Sequence, residues 1–262
     1  MKKLLAITAL SAALFFGQTA AAEEKAAEEV KPSHVEMVLV LDESGSMSNL
    51  TNDTIGGFNS MIEKEKKLDV DAHVTTVLFN DQYKMLYNRR ELKDVRKMTD
   101  KDYTPGGMTA LLDAVGRTIH KMDMVSGIHR KDKGNKVLFV IITDGEENDS
   151  REYTYADVKK LIKDRQENAG WEFIFLGANI DAAAAAENLG IDRDRAVKYK
   201  NTGSGVRANF KAVAELSDSL AKSGRVSDEW KETVEKDEDD AADKQSAACL
   251  LYTSPSPRDR QK

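Results

Sequence analysis

Cysteine is almost absent: the 262 residues contain one, Cys249, near the C-terminus. A disulfide framework within the chain is thereby excluded, and so is a metal site built from several cysteines. Proline is scarce too, and two of the four, Pro255 and Pro257, lie in the same terminal stretch as Cys249. No segment beyond residue 22 approaches the roughly 20 consecutive apolar residues that a membrane-spanning helix needs. Excess positive charge is missing as well. With 39 Lys and Arg against 45 Asp and Glu, the net charge is −6, which argues against nucleic acid as the partner. There is no Gly-x-x-x-x-Gly-Lys phosphate loop, no EF-hand spacing among the acids and no internal repeat.

The two ends read differently from the middle. Met1-Lys2-Lys3, the apolar stretch Leu4 to Phe16 and then Ala20-Ala21-Ala22 have the charged, apolar and small-residue regions of a secretory signal, with cleavage expected after Ala22. The stretch is too short to span a bilayer, and no cysteine follows it to take a lipid. The expectation is an exported chain, periplasmic or secreted, without stable membrane insertion once the signal is removed. Loss of residues 1–22 leaves 240 of 262 residues. Because that segment carries Lys2, Lys3 and no acid, the net charge moves from −6 to −8. Residues 23–33, rich in alanine and glutamate, are expected as a flexible spacer, and the acidic residues 223–248, which include Trp230, as a solvated tail or linker. The last segment, residues 249–262, resembles a translated sequencing adaptor and is set outside the fold.

Between these ends lies room for one α/β domain, expected over residues 34–222. Apolar runs at Val35 to Leu41, His73 to Phe79, Val137 to Ile142 and Phe173 to Leu176 lack strict alternation, as strands buried on both faces do. A weaker strand is expected at Ala196 to Tyr199. Helical stripes intervene: Ile55, Phe58, Met61 and Ile62; then Leu111, Leu112, Val115, Ile119 and Met122; then Tyr155, Val158, Leu161 and Ile162. Thr154 with Asp157 forms the pattern of a capping box, and Asp181 and Gly190 bracket an alanine-rich helix. Only Asn80, Asp81 and Gln82 separate Val77-Leu78-Phe79 from Tyr83 to Tyr87, a spacing that permits a hairpin and forbids a helical crossover. The fold class is therefore α/β, doubly wound and Rossmann-like. Its sheet is mostly parallel with one short antiparallel edge strand, and helices cover both faces.

Three loops carry the chemistry. Asp42-Glu43-Ser44-Gly45-Ser46 follows the first strand, Thr109 follows Gly106-Gly107-Met108, and Asp144 follows the strand ending in Ile142-Thr143. In an open parallel sheet ligands bind beyond the carboxyl ends of the strands, where Asp42 and Asp144 converge if their strands are neighbours. Two carboxylates and three hydroxyls, from Asp42, Ser44, Ser46, Thr109 and Asp144, make an all-oxygen set. It suits Mg²⁺, with Mn²⁺ or Ca²⁺ possible in its place, over Zn²⁺. Two acids only neutralise a divalent ion, so an open position remains attractive to an Asp or Glu of a protein partner. A serine hydrolase is disfavoured because neither Ser44 nor Ser46 has glycine two residues before it and no histidine base is in view. A Mg²⁺-dependent phosphoester hydrolase using the same carboxylates is the enzymatic alternative, though a phosphate clamp is lacking.

This pattern, Asp-x-Ser-x-Ser with a Thr and an Asp from two later loops, resembles the metal-ion-dependent adhesion site of von Willebrand factor type A domains. It matches at Asp42, Ser44, Ser46, Thr109 and Asp144. Segments such as Thr54-Ile55-Gly56-Gly57-Phe58-Asn59 and Trp171-Glu172-Phe173-Ile174-Phe175-Leu176-Gly177 are similar to small bacterial proteins carrying this domain. Met108 departs from the small residue expected before the Thr. The resemblance implies a binding module of adhesion or scaffold type, not an enzyme, with no catalytic residue and no organic cofactor.

Overall fold

Each of these expected runs forms a strand, one to three residues longer than its apolar core or, for the run from Ala196, one shorter. A computed structural model describes residues 34–67, 71–125 and 135–236. The expected signal, the spacer, residues 237–248 of the acidic stretch and the adaptor-like end lie outside them. The strands are β1 (His34–Asp42), β2 (Ala72–Phe79), β3 (Tyr83–Glu91), β4 (Asn135–Thr143), β5 (Glu172–Gly177) and β6 (Ala196–Lys198). They make one sheet in the order β3-β2-β1-β4-β5-β6. All neighbours are parallel except β2 and β3, which pair antiparallel at one edge. That edge strand is longer than the run Tyr83 to Tyr87 suggests: a bulge around Thr75 lets it continue as far as Glu91.

The helices are α1 (Thr51–Glu65), α2 (Leu111–Asp123), α3 (Tyr155–Asp164), α4 (Ala182–Leu189) and α5 (Gly203–Ser223). All nine residues of β1 are buried, and alternation along the strand divides them between two cores. Val35, Met37, Leu39 and Leu41 face Phe58, Met61 and Ile62 of α1 and Phe210, Val213 and Leu216 of α5. Val38 and Val40 face Leu112, Val115 and Ile119 of α2, Val158 and Ile162 of α3 and Leu189 of α4. Helices α1 and α5 approach closely because position 57 is glycine: a Cβ there would overlap the Phe210 ring. Among the described residues no helix is long and apolar enough to cross a membrane.

Local signals act as expected with one exception. Thr154 and Asp157 close a reciprocal capping box at the start of α3, Asp181 caps α4, and Gly190 ends α4 in the left-handed region. Thr154→Ala should cost about 1 kcal/mol of unfolding free energy, read from a denaturant midpoint; an unchanged midpoint would mean that the cap contributes nothing. The exception is Tyr155, expected in the buried stripe of α3 but 43% exposed. It is the first residue of the helix, and Val158 and Ile162 carry the buried face. The expected boundary at residue 222 also falls inside packed structure. Helix α5 runs to Ser223, and Val226, Trp230 and Val234 join the core shared by α1 and α5.

Candidate metal centre

The order β2-β1-β4-β5 reverses between β1 and β4, so the chain leaves these two strands in opposite directions and opens a crevice beyond their carboxyl ends. Leu41 stands level with Ile142, so Asp42 ends β1 level with Thr143, and Asp144 follows one residue later at the same opening. The condition on which the sequence expectation rested, that these strands be neighbours, is met. Both carboxylates are almost wholly buried, at 1% exposure each.

A run of hydrogen bonds joins four of the five expected residues. The Ser44 backbone N–H donates to Asp42 Oδ1 at 2.7 Å, and Ser44 Oγ lies 3.1 Å from Ser46 Oγ. Ser46 Oγ in turn donates to Asp144 Oδ1 at 2.5 Å. Thr109 is delivered to the same opening by its own loop. The Gly45 N–H donates to the Gly107 carbonyl at 3.2 Å, and the Gly106 N–H donates to the Glu43 carbonyl at 2.9 Å. Gly107 has φ of 77°, and a Cβ on it would overlap the Asp81 carboxylate, so this loop needs glycine there. The Thr109 hydroxyl is buried near Gly145, 3.9 Å from where a Cβ on that glycine would stand.

Several supporting residues escaped the sequence reading. The Thr143 hydroxyl donates to Asp42 Oδ2 at 2.6 Å, and Tyr103 donates to the Asp42 carbonyl at 2.6 Å. Asn201, between β6 and α5, donates to Asp144 Oδ2 at 3.2 Å, and Asn179 donates to the Asp144 carbonyl at 3.2 Å. Thr143 had a signal, being the last strand residue before Asp144. Asn201 and Asn179 had none, since only the fold of β5 and β6 brings them there. Glu43, inside the motif, turns away from the opening: Oε1 accepts from the Thr104 N–H at 2.5 Å and lies 3.5 Å from Lys84. Glu147 reaches the N-terminus of α2, where Oε2 accepts from the Leu112 N–H at 2.9 Å. Asn148 accepts from the Thr109 N–H at 2.8 Å. The loop after β4 thus fixes the loop that carries Thr109.

The electrostatics leave a deficit. Among the described residues no cationic side chain pairs with Asp42 or Asp144. Burial pushes the Asp42 carboxyl above its ordinary value, bonds from Ser44 and Thr143 pull it back, and the charge of Asp144 pushes it up again. Two buried carboxylates that repel each other are costly unless a cation compensates them. Asn201 Oδ1 is buried at the same place without a hydrogen-bond partner. The donor atoms are all hard oxygens, so the residues fit a Mg²⁺-type ion.

The family model described as vWA-TerF-like, vWA found in TerF C terminus, matches residues 34–191. A search of curated proteins finds no match. Among solved structures, the vWF domain of the type V pili tip protein Mfa5 from Porphyromonas gingivalis is 13% identical with TM-score 0.51, over 75% of this chain and 99% of that one. A mutant PilB minor pilin from Streptococcus sanguinis is 12% identical with TM-score 0.52, over 72% and 62%. A von Willebrand factor type A protein from Catenulispora acidiphila is 15% identical with TM-score 0.46 over 70% of this chain and 42% of its own length, so this chain spans less than half of it. At these identities the likeness is one of fold.

Proposed function

Because the chain belongs to the vWA-TerF-like family, we propose that it is an exported adhesion or scaffold module that binds a protein partner through a divalent cation. The observation that carries this reading is the pair Asp42 and Asp144, both buried at the carboxyl ends of neighbouring strands, with no cationic side chain against them among the described residues. Asp42, Ser44, Ser46, Thr109 and Asp144 would hold the ion, Mg²⁺ first and Mn²⁺ or Ca²⁺ as alternatives. Bound there, the ion supplies a Lewis-acidic position for one carboxylate oxygen of an Asp or Glu on the partner. The chain's own residues keep that position in place. Thr143 and the Ser44 N–H fix both oxygens of Asp42, while Ser46 and Asn201 fix those of Asp144.

Contacts around the opening would choose the partner. Met108, next to Thr109, is 51% exposed. Tyr155 and Gly145 line a shallow cleft with Leu111 and Ile180 beside it. An apolar side chain flanking the partner's acid would find these surfaces, as the rim of a binding site requires. Export rests on the signal-like residues 1–22. Pilus proteins among the structural neighbours are in keeping with an adhesion role. Binding is favoured over phosphoester hydrolysis because, among the described residues, the groups bonded to Asp42 and Asp144 are hydroxyls, amides and backbone N–H groups, with no histidine, lysine or further carboxylate among them.

The test is a thermal-shift series with Mg²⁺, Mn²⁺, Ca²⁺ and chelator on the unmutated chain, Asp42→Ala and Asp144→Ala, paired with capture of partner proteins on the immobilised chain. A cation at about 100 times its Kd should add roughly 2.7 kcal/mol, or about 5–10 °C in Tm. Both substitutions should abolish that shift and the chelator-sensitive capture. Capture that persists in chelator would sink the coordination mechanism. Metal-dependent turnover of a simple phosphate ester, lost in the same variants, would favour the hydrolase.

A further inference from the structure

At the other end of the sheet a second group of ligand-type side chains converges. His34 and Glu36 lie two residues apart on β1, so both project to the face covered by α2. Glu36 stands level with His73 on the neighbouring strand β2, which brings that imidazole to the same face. Three atoms meet. His34 Nε2 is 2.8 Å from Glu36 Oε1, His73 Nδ1 is 2.9 Å from His34 Nε2, and His73 Nδ1 is 3.4 Å from Glu36 Oε1. In a tetrahedral zinc site with bonds of 2.0–2.1 Å, ligand atoms stand about 3.3 Å apart. His34 and Glu36 are buried and His73 is half-buried. The other nitrogen of His34, Nδ1, lies 3.2 Å from the Asp71 carboxylate. A carboxylate behind the imidazole is the arrangement that orients metal-ligating histidines and raises their basicity.

The geometry points to a second cation site in this protein, formed by His34, Glu36 and His73 and selective for a borderline divalent transition metal of the Zn²⁺ type. Two imidazoles and one carboxylate favour such an ion over Mg²⁺ or Ca²⁺. In the absence of the metal, positive charge already fills the place. Arg89 donates to both oxygens of Glu36 and, from Nη2 at 3.2 Å, to His73 Nδ1. Arginine has no acceptor, so His73 Nδ1 accepts from it, and the contact to His34 then requires a proton on His34 Nε2. Zn²⁺ would replace that proton on Nε2 and displace Arg89 Nη2 from His73 Nδ1 and Glu36 Oε1, while Arg89 keeps Glu36 Oε2, to which Nε donates at 3.1 Å. Eight residues of extended strand separate His34 from Asp42, roughly 25 Å, so this site is independent of the first.

The experiment is a calorimetric titration of the purified chain with Zn²⁺ in excess Mg²⁺, in a Cys249→Ser background that removes the one thiol. One equivalent should bind, persist in Asp144→Ala and weaken by roughly a hundredfold or more in His73→Gln, as loss of one of three protein ligands implies. Co²⁺ in the His73 parent should give the intense visible bands of a four-coordinate ion. Should His73→Gln fail to fold, that spectrum decides alone. The proposal is overturned by Zn²⁺ binding that follows Asp144, by binding untouched in His73→Gln, or by Co²⁺ bands of the weak six-coordinate kind.

Discussion

Replacing Trp230 with alanine is expected to destabilise the domain by about 3–5 kcal/mol, the range for truncating a fully buried aromatic side chain. Trp230 is 1% exposed. Trp230 and Val234, four apart on the helical residues 230–236, share one face, and with Val226 from the preceding loop they join the core formed with Leu216, Leu220 and Ala221 of α5. Polar ties hold the segment in the same place. The Ser227 N–H donates to Ser219 Oγ at 3.0 Å, Thr233 Oγ1 donates to Glu215 at 2.7 Å, and Arg195 lies 3.0 Å from Asp228. Among the described residues the indole N–H has no hydrogen-bond partner, so shape and area account for the stabilisation, and Trp230→Phe should recover most of the loss. Trp171 remains as the fluorescent probe for a urea titration. A loss within about 0.5 kcal/mol, typical of surface sites, would instead place residues 226–234 in solvent.

That segment shows where sequence reading fails and why. Between residues 227 and 240 the acids outnumber the apolar residues, and composition averages over the very spacing that matters: Val226, Trp230 and Val234 are three residues among many charged ones. The strands are the opposite case. Runs such as Val137 to Ile142 are apolar throughout, because parallel strands are covered on both faces, so no average hides them. Asp42 and Asp144 were legible for the same reason, since each marks the end of such a run. Their partners Asn201 and Asn179 were not, because a hydrogen bond across 57 or 35 residues leaves no trace in local pattern. His34 and Glu36 stood two apart in plain view. Only the register that sets Glu36 beside His73 turns them into a cluster, and register belongs to the fold.

Glu65, flanked in sequence by Lys64 and Lys66, leads to the second large expected effect. Glu65 is 1% exposed, packed between α1 and α5. Its Oε2 accepts from Ser217 Oγ at 2.5 Å, while Oε1 is buried with no partner. Burial raises its carboxyl to about 7 from an ordinary 4.5. The Ser217 bond and the Lys64 charge oppose that, and Asp218 adds to it. An acid raised on folding favours the folded state while it stays protonated. Its contribution is therefore complete below the unfolded value near 4.5 and is lost as pH rises through about 7. The difference between those values corresponds to about 3 kcal/mol as an upper bound. Glu65→Gln keeps the shape and cannot ionise. Its stability relative to the unmutated chain should therefore climb by up to about 3 kcal/mol between weakly acidic and weakly alkaline pH. Taking the difference between the two chains cancels the titration of every other group, including any cation-linked change at Asp42 and Asp144 when both are measured in chelator. A difference that stays constant across that range would mean that Glu65 ionises at its ordinary value and that water reaches Oε1 between the two helices.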